Sequence, residues 1–172
     1  GPNIVKSIKS ITNKTLDVHL MINKVNKLID DFIEAGSDII SFHPETESNT
    51  KDILKIIKNA NIQCGIAIHP EIEVKDVQKY LELVDLVIVM TVVPGFGGQK
   101  FLENQVSKIE ELNRLRSTHN LNFDISVDGG INHNTSEKCI SRGADVLVSG
   151  SYIFGQDQSQ YKNLIDSLRP KN

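Results

Sequence analysis

Six short apolar runs alternate with amphipathic helical patterns along nearly the whole chain, and no other feature narrows the fold as much. The runs fall at 16–21, 37–43, 62–69, 85–91, 121–128 and 145–149. Apolar residues recur at helical spacing over 24–35, 50–60, 74–83, 102–118, 132–142 and 157–168. Ile4, Val5, Ile8 and Ile11 mark one face of an opening helix, with Pro2 suited to its first turn. Gly36 and Gly143 stand where helices should stop. Near-continuous apolar strands separated by helices predict a parallel sheet covered by helices, since a parallel connection needs a crossover long enough to hold one.

Two architectures satisfy that pattern. An open doubly wound sheet suits the number of units. The polar residues favour a barrel, because His19, His43, His69, Thr91, Asp128 and Ser149 end almost every strand. An open sheet needs polar ends only near its switch point. In a barrel every strand end faces one central mouth. The pattern therefore predicts a (β/α)8 TIM barrel lacking its first two β/α units, as one domain over 1–172. The chain opens on Gly1-Pro2 without an initiator Met, which is either a protease scar or the continuation of a longer sequence.

Composition excludes several classes. A net charge of −3, with lysines scattered through the helical stretches, gives no nucleic-acid surface. No apolar run reaches membrane-spanning length, and no signal peptide is visible. Cys64 and Cys139 are too few and too far apart for a cysteine zinc site, and their apolar surroundings read as buried, reduced thiols of a cytoplasmic protein.

The chemistry concentrates where strands end. The apolar run Leu86-Val-Ile-Val-Met90 breaks into a loop holding Pro94, Gly95, Gly97 and Gly98, and a helical pattern follows. Such a glycine loop lets several backbone N–H groups approach one ligand, a geometry suited to phosphate. Gly129-Gly130 and Gly150-Ser151 leave two later strand ends one unit apart, as do the phosphate loops of many barrels. Asp128 precedes the first of these pairs. The following helix has a better cap in Asn132 or Asn134, so Asp128 is free to point into the mouth as a metal ligand or proton shuttle. His119 and His133 fall in helix or loop and read as surface residues. Met21 and Met90, the two methionines, both sit at strand ends, either as core filler or as a soft apolar lining. One internal echo stands out: Ser41-Phe-His-Pro-Glu-Thr-Glu47 against Ala67-Ile-His-Pro-Glu-Ile-Glu73.

Taken together, Leu16-Asp-Val-His-Leu-Met21, Ile40-Ser-Phe-His43, Met90-Thr-Val-Val-Pro-Gly-Phe-Gly-Gly-Gln-Lys-Phe101, Val127-Asp-Gly-Gly130 and Val148-Ser-Gly-Ser151 resemble the ribulose-phosphate 3-epimerase family, in order and spacing, across nearly the whole chain. The resemblance implies a (β/α)8 barrel that interconverts D-ribulose 5-phosphate and D-xylulose 5-phosphate. It implies one divalent cation (Zn, Fe, Mn, Co or Mg) held in part by His19 and Asp128, with Asp128 also a catalytic acid/base. It implies substrate contacts from His19, Met21, His43, Met90 and Asp128. A phosphate grip would be formed by Gly95, Phe96, Gly97, Gly98, Gly129, Gly130, Gly150 and Ser151. The implied partner is a small sugar phosphate, with no nucleic acid or membrane, and homo-oligomers are compatible with the family.

Two departures qualify the resemblance. The chain begins at what would be the family's second helix, so a metal His, the second catalytic Asp and a substrate-binding Ser have no counterpart, and the chain alone is expected not to invert its substrate. His69 stands where the family carries a different polar residue, and is expected to add nothing. The alternatives are another sugar-phosphate barrel enzyme, a decarboxylase or synthase, and an incomplete non-catalytic phosphate-binding fragment.

Overall fold

A computed structural model describes residues 1–170; positions 171–172 of the expected single domain lie outside the described residues. The order is α1 (Pro2–Lys9), β1 (Asp17–Leu20), α2 (Ile29–Glu34), β2 (Ile39–Phe42), α3 (Thr50–Asn59), β3 (Gln63–Ile68), α4 (Val74–Val77), β4 (Leu86–Met90), α5 (Val106–Thr118), β5 (Asp124–Asp128), α6 (His133–Ile140), β6 (Val146–Val148), α7 (Ser151–Phe154) and α8 (Tyr161–Ser167).

All six strands are parallel and neighbour one another in chain order. That order decides between the two architectures. A doubly wound sheet reverses direction at its switch point. Here every right-handed crossover steps the same way, which puts all the helices on one face and curls the sheet into an arc. The larger core lies between sheet and helices, with Ile40, Phe42, Ile53, Ile57, Ile66, Val87 and Ile125 among its buried members. Fully burying such a side chain contributes about 1.5–3 kcal/mol. The inner face carries a smaller cluster of Ala67, Leu86, Ile88, Met90 and Val92. On that face Val146 and Val148 of the edge strand β6 remain 37% and 38% exposed. The molecule is thus an arc of six barrel strands with open edges at β1 and β6.

One polar device recurs at the end of the sheet away from the mouth. Asp38, Asp85 and Asp145 each precede an even-numbered strand and accept a hydrogen bond from a backbone N–H at the start of the preceding strand or just ahead of it, at Leu16, Cys64 and Ile125 respectively. A cation pairs with each: Lys9 at 2.6 Å, Lys58 at 3.8 Å and Arg116 at 2.5 Å. The device repeats every two β/α units and pins the register of the strands it joins.

Several expected boundaries move. The predicted helix over 24–35 is divided: a 3-10 turn spans Val25–Lys27, and α2 begins only at Ile29. Lys24 adopts φ 60°, and Glu47 Oε1 accepts the backbone N–H of Val25 at 2.5 Å, so the first turn serves tertiary structure instead of a continuous helix. The predicted 102–118 helix likewise opens with a 3-10 turn, Glu103–Gln105, and the 74–83 helix becomes α4 followed by a 3-10 segment, Gln78–Leu83. Strand β5 starts three residues later than its apolar run. The short helix α7, directly after Gly150, has no counterpart among the predicted elements. No helix among the described residues is long and apolar enough to cross a membrane.

Candidate active site

The C-terminal ends of the strands converge on one side of the arc. His19, on β1, and Asp128, ending β5, approach to 3.8 Å between Nδ1 and Oδ2. The sequence separates them by more than a hundred residues; curvature of the sheet brings them together. The His19 side chain is 12% exposed, and neither ring nitrogen has a hydrogen-bond partner. Leaving both nitrogens of a nearly buried imidazole unpaired costs free energy unless something else engages them. The spacing suits a shared cation: metal–nitrogen and metal–oxygen bonds of about 2.0–2.2 Å allow two ligand atoms to stand up to roughly 4 Å apart. Among the described residues no group of three or more His, Cys, Asp or Glu is placed to hold a metal, so these two donors fit part of a shell.

Asp17 shares the His19 face of β1, two residues back. Although its side chain stays exposed at the sheet edge, the surrounding protein raises its pKa by desolvation; the field of His19 opposes that and Asp128 adds to it. His43 stacks on His19 with ring centroids 5.0 Å apart. His69 meets His43 edge-on at 6.4 Å.

Beside the His19–Asp128 pair lies a cavity of about 320 Å³, lined by Met21, Met90, Gly95, Phe96, Gly97, Gly98, Asp128, Gly129, Gly130, Gly150 and Ser151 together with Val92, Pro94, Gln99, Ile131 and Val148. Every residue expected for substrate or phosphate therefore lines one cavity, apart from His19 and His43, which stand next to it. Its glycines divide into two kinds. A Cβ at Gly95, Gly97, Gly98 or Gly150 would meet no heavy atom within 4 Å, so these positions leave room for something other than the protein. Gly129 and Gly130 are instead required by packing, while Gly95 (φ 140°) and Gly98 (φ 77°) are held to glycine by backbone conformation alone. A Cβ at Gly129 (φ 124°) would lie 2.5 Å from Val92 Cγ2, and one at Gly130 (φ 64°) 2.8 Å from the Phe101 nitrogen.

Three contacts that shape this mouth are not expected from sequence. Thr91 is fully buried, and its hydroxyl donates to the carbonyls of Asp128 and Gly129 at 3.1 and 2.6 Å, tying the end of β4 to the carboxylate-bearing end of β5. Gln99 Nε2 donates to the Val93 and Phe96 carbonyls at 2.6 and 2.9 Å, folding the glycine loop on itself. Ser149 donates to the Ile131 carbonyl at 2.9 Å. Thr91 and Ser149 are legible only as polar strand ends, and Gln99 only as the residue closing the Gly-Gly-Gln run. Asn132 caps α6 by accepting the N–H groups of Asn134 and Thr135, which leaves the Asp128 side chain uncommitted. His119 and His133 are exposed, as their positions suggest.

A model of the ribulose-phosphate 3 epimerase family matches residues 1–154. Over 170 residues the chain is 38% identical to the ribulose-phosphate 3-epimerase of Bacillus subtilis (strain 168), a match that covers 98% of this chain and 77% of that relative. The chain belongs to the ribulose-phosphate 3-epimerase family. The chloroplastic ribulose-5-phosphate-3-epimerase of Arabidopsis thaliana is 40% identical over 174 residues, and there the chain spans 62% of the relative's length. Among solved structures, the 3-keto-L-gulonate-6-phosphate decarboxylase of Vibrio cholerae O1 biovar El Tor superposes with TM-score 0.75 over 98% of this chain and 77% of that one, at 16% identity. That likeness is one of fold. The epimerase relatives share more than twice as much sequence, which separates the family from the decarboxylase and synthase alternatives.

Proposed function

We propose that this chain carries the greater part of the active site of a ribulose-phosphate 3-epimerase, an isomerase that interconverts D-ribulose 5-phosphate and D-xylulose 5-phosphate. The observation that carries the reading is the 3.8 Å approach of His19 and Asp128 beside a glycine-lined cavity of about 320 Å³. Inverting C3 of a ketopentose phosphate means removing a weakly acidic proton alpha to a carbonyl and returning one to the opposite face. Asp128 is the carboxylate placed to take or return that proton. The backbone around Gly97, Gly98, Gly129 and Gly150 holds the phosphate, and this remote binding energy fixes the reacting carbon against the carboxylate. Met21 and Met90 give the cavity an apolar lining that keeps water from competing for the proton. His19 and Asp128 supply two donors to a divalent cation. Held there, such a cation would stabilise the negative charge that develops as the proton leaves. The return proton requires a second carboxylate on the opposite face. Asp17 lies on the His19 face of β1 but about 7 Å further from the mouth, two strand residues deeper.

Asp128→Asn tests this assignment, since it keeps size and some ligand capacity while deleting the base. C3 deuterium uptake from heavy water is followed for each epimer separately, with metal content measured on the same sample. The expected result is a fall of about 10²–10⁴ in uptake into the epimer that Asp128 serves. Uptake into both epimers at the rate of the unsubstituted chain, with metal content unchanged, would show that Asp128 carries no proton. For the chain as it stands, in which Asp128 is the carboxylate beside His19, exchange without net inversion is expected.

A further inference from the structure

The repeated His-Pro-Glu motif places two histidines beside the mouth in opposite hydrogen-bonding states. At His69, the backbone N–H of Glu71 donates to Nδ1 at 3.2 Å. That nitrogen is an acceptor, so the neutral ring carries its proton on Nε2. At His43 the partner is the side chain: Nδ1 lies 3.0 Å from Glu45 Oε1. A carboxylate oxygen only accepts, so Nδ1 carries the proton and Nε2 of the neutral ring keeps its lone pair.

We propose that Glu45 is a positioning residue, whose hydrogen bond fixes His43 as the Nδ1–H tautomer and makes Nε2 an acceptor for a hydroxyl of the sugar phosphate. The ligand half of this proposal rests on the function proposed above; the tautomer half does not.

Four observations carry it. His43 is 5% exposed, and its Nε2 is buried without any partner in the protein, a state expected of an atom whose partner is a ligand. The ring stacks on His19, whose Nδ1 lies 3.8 Å from Asp128 Oδ2, so it borders the proposed reaction centre. His43 and Glu45 line a cavity of about 290 Å³ that shares Met21, Pro94 and Gly95 with the glycine-lined one. The backbone of the motif is itself braced, because Thr46 donates to the His43 carbonyl at 2.7 Å through its hydroxyl and at 3.1 Å through its N–H. Glu45 is well suited to the role as an anion. Burial alone would raise its pKa, but the hydrogen bond from His43, its own backbone N–H and the nearby His43 and His69 rings outweigh burial, and the net direction is down. The two parts of the mouth then divide recognition by charge. Glycine-loop N–H groups donate to phosphate oxygens, whereas a lone pair on His43 Nε2 repels those oxygens and pairs with an O–H.

The test uses the full chain, ¹⁵N-labelled on histidine, at about pH 8, where an ordinary imidazole is neutral. Long-range ¹H–¹⁵N correlation spectra of the ligand-free protein read the tautomer of each ring. The expected result is His43 protonated on Nδ1 and His69 on Nε2. Glu45→Ala should release His43 to a mixture of tautomers, and Glu45→Gln, which keeps an accepting oxygen, should restore Nδ1–H. Binding of inorganic phosphate should be unchanged in both variants, while affinity for D-ribulose 5-phosphate falls about 3–10-fold in Glu45→Ala and recovers in Glu45→Gln. A His43 ring protonated on Nε2 in the unsubstituted protein overturns the proposal, as does an unchanged tautomer in Glu45→Ala. Equal weakening of phosphate and sugar phosphate overturns the hydroxyl contact. Failure of the unsubstituted chain to bind ribulose 5-phosphate at all refutes the proposed function and that contact together, and leaves the tautomer assignment to be judged on the ligand-free spectra.

Discussion

Gly129→Ala and Gly97→Ala are the same substitution with opposite expected consequences, although both glycines line the same cavity. At Gly129 a Cβ would stand 2.5 and 2.8 Å from the two Val92 methyls and 2.9 Å from the Val92 nitrogen. Ordinary contact begins at 3.4 Å, so either the Val92 backbone or the end of β5 must move by about an ångström. The backbone at φ 124° is also one that an L side chain rarely adopts. Strain at such a residue costs about 1–3 kcal/mol and overpacking about 1–3 more. Together this is a large fraction of the stability of a domain, typically about 5–15 kcal/mol. At about 2–4 °C per kcal/mol the melting midpoint should fall by roughly 10 °C. At Gly97 a Cβ meets nothing within 4 Å, and φ lies outside the left-handed region. Stability there should hold or rise by about 0.4–1 kcal/mol through a stiffer unfolded chain. Phosphate binding should nevertheless weaken at least about tenfold, since the methyl occupies the open mouth and phosphate needs close backbone approach. Urea denaturation gives the stabilities, and phosphate titration followed by amide NMR gives the binding. A Gly129→Ala protein as stable as its parent, or a Gly97→Ala protein that unfolds early while binding phosphate normally, would refute the division of the loop glycines.

Three further outcomes follow from buried and edge groups. Burial pushes the Cys64 thiol up to about 12 and that of Cys139 to about 11, from an ordinary 9.0, so each contributes stability that is complete below about pH 9 and is lost as pH rises toward those values. Denaturation midpoints should therefore decline between about pH 9 and 11, by up to about 1.4 kcal/mol per thiol per pH unit, and a flat profile would contradict the assignment. Asp85→Ala removes the acceptor of the fully buried Cys64 N–H and should cost about 1–3 kcal/mol in urea denaturation, whereas a surface aspartate such as Asp52 should cost under about 0.5. The open edges at β1 and β6, with Val146 and Val148 exposed, should make the isolated chain bind a hydrophobic dye or associate with rising concentration; a monodisperse monomer without dye binding by ultracentrifugation would count against it.

The sequence by itself determined the alternation of strand and helix, because burial of a parallel strand on both faces demands an apolar run, and the helices between need only one apolar stripe. It also determined which residues end the strands, and thus the candidates His19, Asp128 and the glycine loops. Boundaries escaped it wherever a distant group competes for a local hydrogen bond, as Glu47 does at Val25 and as the Asp38, Asp85 and Asp145 carboxylates do at the preceding strands. Only the tertiary structure decided which polar groups meet. Curvature of the sheet sets the 3.8 Å between His19 and Asp128 and stacks His43 on His19. The same glycine letter means clearance at Gly97 and steric necessity at Gly129, according to what lies across from it. Two copies of His-Pro-Glu hold their rings in opposite states, one through a backbone N–H and one through a carboxylate. A linear pattern records which groups are available, whereas hydrogen-bond partnership depends on distances set by packing between segments far apart in the chain.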